Sequence, residues 1–184
     1  MGLLRRLNYF QGRLLSAADF QSEQEYHREK SRLHNRRLHG SGVASGLTVS
    51  LAGGTSRPAI TVKPGVGIDP TGNELELDAE RAVPIGVKSR AFQVVLRYVE
   101  RHVEPIPSLG TGDDADATGY ARIEEDCELV LVPDDPLRHR GDSGLSLARY
   151  VRSGSTWQRD RTFKAGRTAS RSSSRSTSMT TVRR

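Results

Sequence analysis

From Val43 onward the apolar residues of this chain recur at every second position, whereas before it they are sparse and follow a helical spacing. Val43, Leu47, Val49 and Leu51 alternate with small or polar residues up to a Gly53-Gly54 turn. Ile60 and Val62 mark a second short strand, stopped by Pro64-Gly65, and Val66 to Ile68 leads into Asp69-Pro70-Thr71-Gly72-Asn73, a strong turn signal. Leu75 and Leu77 alternate with Glu74, Glu76 and Asp78, which predicts one buried and one wet face. The run from Phe92 to Val99 is apolar almost throughout and reads as a central strand. Glu128 to Val132 reads as another, ending at Pro133. Leu145 to Val151, Ser153-Gly154-Ser155 and Thr156-Trp157 predict a closing hairpin.

The segment before Val43 has different punctuation. Ser16-Ala17-Ala18-Asp19 is a helix start, with a hydroxyl that accepts from a first-turn amide and an acid at the positive end of the helix dipole. No glycine or proline follows until Gly40, so one helix is expected over 17–39, about 34 Å long at 1.5 Å per residue. Phe20, His27, His34 and Leu38 point near one direction, with Tyr26 and Leu33 on a neighbouring strip. Such a helix buries a narrow face and leaves the rest to water or to a partner.

Residues 104–118, with Pro105, Pro107 and three aspartates, read as an exposed excursion, and 133–144 as a second loop. The expected architecture is mainly β, an antiparallel sandwich or a barrel-like sheet, with one long N-terminal α-helix and a disordered C-terminal tail. Its parts are an arm and helix over 1–40, a β-sandwich over 41–160, and an Arg/Ser-rich tail over 161–184 without apolar periodicity to repay ordering.

Charge changes the picture mainly by its location. The net +6 includes seven basic residues and no acid in 161–184, so the remainder holds 21 basic against 22 acidic side chains. A folded nucleic-acid binder concentrates positive charge on its structured surface, so nucleic acid is not an expected partner except through the tail. No run of about 18 apolar residues is present, and no membrane insertion is expected. The single Cys127 excludes an internal disulfide and fits a reducing, cytoplasmic setting.

Candidate chemistry is thin. His27, His34 and His39 lie within 13 residues, but ligands on one α-helix need spacings of three or four. His27 and His34 are seven apart, and His34 and His39, five apart, are expected to diverge; no metal site follows. Asp113, Asp114 and Asp116 lack the pattern of a calcium loop and read as a solvated acidic loop. The stretch from His39 to Gly46 follows a helix instead of preceding one, so it offers no phosphate cradle. Cys127, between Asp126 and Glu128, is not activated. No catalytic residue, no cofactor and no enzyme are expected.

The opening segment is richer. Leu7, Tyr9, Phe10, Leu14 and Leu15 surround a Gly12 turn just before the helix. Either Phe10, Leu14 and Leu15 fold back on the sheet as a staple, or this surface docks onto a partner with Tyr9 and the helix. The ordered motif Asn8-Tyr9-Phe10-x-Gly12-x-Leu14-Leu15-x-Ala17-x-Asp19-Phe20, then Glu23, Gln24 and Tyr26, then Gly42-Val43-x-x-Gly46-Leu47, resembles structural baseplate or tail-fibre-like proteins of phage-like contractile injection systems. It is more distantly similar to the N-terminal shoulder domain of type VI secretion baseplate subunits, and Leu147-Ala148-Arg149 with Trp157 to Asp160 match that domain's ending. Beyond Asp160 the chain departs from the pattern.

The resemblance implies a structural or adaptor subunit assembled into a particle, with other baseplate subunits as partners and a homo-oligomer, a trimer first of all. The interface residues it points to are Tyr9, Phe10, Leu14, Leu15, Phe20, Tyr26, His27 and His34. A carbohydrate- or surface-ligand-binding β module is the alternative, resting on Tyr98, Tyr120, Tyr150 and Trp157.

Overall fold

A computed structural model describes residues 4–54, 56–107, 118–134 and 144–166. Asp113, Asp114, Asp116 and the tail from residue 167 lie outside the described residues. Helix α1 runs Ala17–His34 and continues as one π-helical turn, Asn35–His39. Ten strands follow: β1 (Gly42–Gly46), β2 (Val49–Ala52), β3 (Ala59–Val62), β4 (Gly65–Ile68), β5 (Glu74–Leu77), β6 (Arg81–Pro84), β7 (Ala91–Pro107), β8 (Thr118–Pro133), β9 (Leu145–Ser153) and β10 (Thr156–Arg159). Every pairing among them is antiparallel.

The strands form three sheets, ordered β1-β4-β5, β2-β3-β6 and β10-β9-β7-β8, around one core. The period-two expectation holds where it was clearest: Ile60 and Val62 from β3, and Leu75 and Leu77 from β5, are fully buried. Leu51 is the exception and stays exposed on β2. Phe92, on the central strand β7, stacks on Tyr150 at 5.6 Å and meets the edge of Trp157 at 4.8 Å. A bulge between the β7 residues Val94 and Val95 lets the consecutive β9 residues Leu147 and Ala148 both turn inward.

Two strand boundaries depart from the sequence reading. The excursion expected over 104–118 is strand at both ends, because β7 continues through Pro107 and β8 starts at Thr118. Beyond Leu96, β7 has β8 as its only ladder partner among the described residues, so Pro105 and Pro107 lie in a two-stranded ribbon. β6 carries little alternation and ends in Pro84, yet it pairs with β3 as the edge of its sheet. The first residues of the expected tail also belong to the body. Thr162 donates to Asp160, and the Gly166 carbonyl accepts from the Val43 amide at 2.9 Å, against β1.

Candidate functional site

The N-terminus of α1 is built as its sequence predicts. Ser16 Oγ accepts from the Asp19 amide, and an Asp19 carboxylate oxygen accepts from the Ser16 amide at 2.9 Å, a complete capping box. Arg13 adds a clamp, donating to Asp19 at 2.8 Å and to the Asn8 carbonyl at 2.9 Å. Backbone and hydroxyl donation from Ser16, then Arg13, hold the Asp19 carboxyl below its ordinary range. The arm is thus tied to the helix.

At this end of the helix lies an apolar surface that the described residues leave exposed. Leu14 is 92% exposed, Phe10 65%, Phe20 55% and Tyr9 52%, while Leu15 is half-buried. The staple reading therefore fails for Phe10 and Leu14: neither folds back on the sheet. Tyr26 is half-buried, with its ring edge-on to His27 at 5.3 Å. His27 is exposed, near Glu23.

No residue of α1 is fully buried and, of its apolar positions, only Tyr26 and Leu33 are half-buried, so apolar packing contributes little to docking this helix. Polar bonds do it instead, concentrated toward its C-terminal half. Arg28 pairs with Glu100 at 3.0 Å, and Arg32 donates to Asn73 at 2.7 Å. Asn35, buried at the start of the π turn, donates to the Gly72 carbonyl at 3.0 Å and to Glu74 at 3.1 Å. Arg36 donates to the Thr71 carbonyl. The receiving turn is preformed by the buried Asp69, which accepts from both amides and both side chains of Thr71 and Asn73 at 2.7–2.9 Å. Gly72 brings that turn against the helix backbone. At its φ of +95°, a Cβ would sit about 3.0 Å from the Arg32 Cα and carbonyl carbon.

A groove of about 820 Å³ runs between the N-terminal half of α1 and the β7–β8 ribbon. Gln24 and His27 line one wall, and His102, Tyr120 and Ile123 the other. Tyr120, Ile123 and Ile106 are each exposed on the ribbon. Ile106 was missed because Pro105 and Pro107 made its segment read as a loop, and Tyr120 entered only the carbohydrate reading. Arg28, Arg32 and Asn35 were missed because helical arginines and asparagines ordinarily face water.

The structure brings Tyr9, Phe10, Leu14 and Phe20 to one end of the helix, but not His34, which lies at the other. There His34 and His39 do not diverge as expected. The π turn, closed by a bond from the Gly40 amide to the Asn35 carbonyl at 2.9 Å, sets their Nε2 atoms 3.3 Å apart. Among the described residues no group of three or more His, Cys, Asp or Glu is arranged to hold a metal ion. Burial, chiefly, pushes the Cys127 thiol up. Of the four aromatics in the carbohydrate reading, Tyr150 is buried, Tyr98 and Trp157 are half-buried, and Tyr120 is exposed.

No family model matches the chain, and no curated protein does either. Solved structures do. The fold is similar to that of TssK in a crystal structure, with 16% identity over 85% of this chain and 41% of that one, at a TM-score of 0.51. A baseplate complex from the type VI secretion system matches at 12% identity, over 86% of this chain and 58% of the other, with a TM-score of 0.49. A cryo-electron microscopy structure of a TssK-TssF-TssG baseplate subcomplex matches at 14% identity, over 89% and 62%, also at 0.49. The chain spans less than two thirds of the length of each. The distant resemblance to type VI baseplate subunits read from the N-terminal motif is thus found again as a likeness of fold. No helix among the described residues is long and apolar enough to cross a membrane.

Proposed function

We propose that this chain is a non-catalytic structural subunit of a contractile injection baseplate, gripping a neighbouring subunit through its N-terminal arm and helix. The observation that carries this reading is the uncovered apolar end of α1. Tyr9, Phe10, Leu14 and Phe20 are exposed beside a helix that has no fully buried residue. Large apolar side chains clustered on one surface mark interaction sites, and the likeness of fold to TssK supports a baseplate setting. Tyr26 and His27 extend the surface along the helix toward the ribbon groove, with Leu15 at its margin. His34 is too far down the helix to join it.

The test is molecular mass in solution by light scattering. A trimer or larger closed ring is expected for the intact chain. Phe10→Ser with Leu14→Ser should shift it toward monomer while leaving the melting temperature of the monomer unaltered, since neither side chain packs on the body. A chain that stays monomeric at all concentrations, and captures no baseplate subunit, refutes the reading.

A further inference from the structure

We propose that His34 and His39 form a two-imidazole clamp for a divalent transition-metal ion, such as Zn(II), Ni(II) or Cu(II). On an α-helix, side chains five residues apart are separated by about 140° around the axis. The single π turn removes that separation, and π turns inside α-helices recur at functional sites. Here it brings two exposed imidazoles into contact, with their Nε2 atoms 3.3 Å apart and ring centroids 5.2 Å apart at a 55° tilt.

That gap matches a shared ion. Two metal–nitrogen bonds of about 2.0–2.1 Å at a tetrahedral angle hold the nitrogens about 3.3–3.4 Å apart. Without an ion the same gap lets one neutral imidazole donate to the other, and a straight bond of that length would hold the centroids about 5.6 Å apart. The observed 5.2 Å shows that the ring axes lie off the line joining the two nitrogens, as they must for two ligands of one tetrahedral ion.

The clamp is also preorganised. On one side of it, Asn35 is buried and bonded to Gly72 and Glu74. On the other, Gly40 closes the π turn at a φ of +71°. Neither anchor depends on the ion, so little ordering entropy is lost when an ion binds. Two ligands leave the remaining coordination positions to water or to an incoming donor. Arg36 and Arg37, between the histidines, oppose a cation, although Arg36 is engaged by the Thr71 carbonyl. Together these set the expected affinity in the micromolar range instead of the far tighter range of closed four-ligand sites.

Calorimetric titration of Zn(II) into the metal-free intact chain tests this. One site per chain is expected, weakened at least about tenfold in both His34→Ala and His39→Ala and unaltered in His27→Ala, which lies on the same helix outside the clamp. Both imidazoles are exposed, so the variants should keep the wild-type unfolding midpoint without metal. Cu(II) bound to the wild type should give the electron paramagnetic resonance pattern of two equatorial nitrogens, reduced to one in either variant. Zinc affinity retained in the double variant, saturation only at millimolar zinc, or a single-nitrogen copper pattern in the wild type would each overturn the proposal.

Discussion

If the helix is held by a glycine turn and a few polar bonds, Gly72→Ala should loosen α1 selectively. Two costs add at this position. Alanine in a left-handed conformation costs about 1–2 kcal/mol. The new Cβ would also overlap the Arg32 carbonyl oxygen and press on the Arg32 Cα and carbonyl carbon at about 3.0 Å, and overpacking of this kind costs about 1–3 kcal/mol. The clash can be relieved only by lifting the helix end, which breaks the bonds from Asn35, themselves worth about 1–3 kcal/mol when one acceptor is charged. Gly154→Ala is the matched control: its φ is +60° and nothing lies within 4 Å of the added carbon, so only the conformational cost applies. Urea unfolding should therefore separate the two variants by about 1–3 kcal/mol, or several degrees in melting temperature for a chain of this size. Hydrogen exchange locates the effect, with protection lost over residues 20–34 in Gly72→Ala and retained in Gly154→Ala. Equal stabilities within about 0.5 kcal/mol, with equal helix protection, would refute the claim that this turn docks the helix.

Other consequences are open to direct measurement. Ser16→Ala removes the hydroxyl half of the capping box and should cost about 1 kcal/mol, read as helical ellipticity and stability, while the sheet stays intact. Leu96→Ala empties a fully buried position on β7 and should cost about 2–5 kcal/mol in equilibrium unfolding. Donation from Thr162 and then Arg149 holds the Asp160 carboxyl at about 2, against an ordinary 3.8. A depressed carboxyl stabilises the fold fully above its unfolded value, so this contribution should be lost as the pH falls from about 4 toward about 2. A carbon-detected titration of Asp160 should show the low midpoint, and Asp160→Asn should flatten acid unfolding in that window; an ordinary midpoint would refute the Arg149–Asp160 pairing.

The residues themselves determined whatever depends on near neighbours. The Ser16–Asp19 capping box, the Asp69–Asn73 turn, the alternation of Leu75 with Leu77 and the hairpin at Gly154 are each encoded within a few positions and were legible there. The ordered N-terminal motif likewise pointed to a distant relationship that returns as the likeness of fold to TssK. Other features depend on residues far apart in the chain, and only the tertiary structure decided them. That Pro105 and Pro107 sit in a ribbon follows from their finding β8 as a partner across residues 108–117. That α1 docks by Arg28, Arg32 and Asn35, and not by its apolar positions, follows from where Glu100 and the Asp69 turn are held by the sheets. Local periodicity reports which side chains avoid water; it carries no information about acceptors 37 to 72 residues away. The same bonds at Asn35 accompany the π turn that rotates His39 onto His34. Two histidines that α-helical geometry keeps apart therefore become neighbours only in the folded chain.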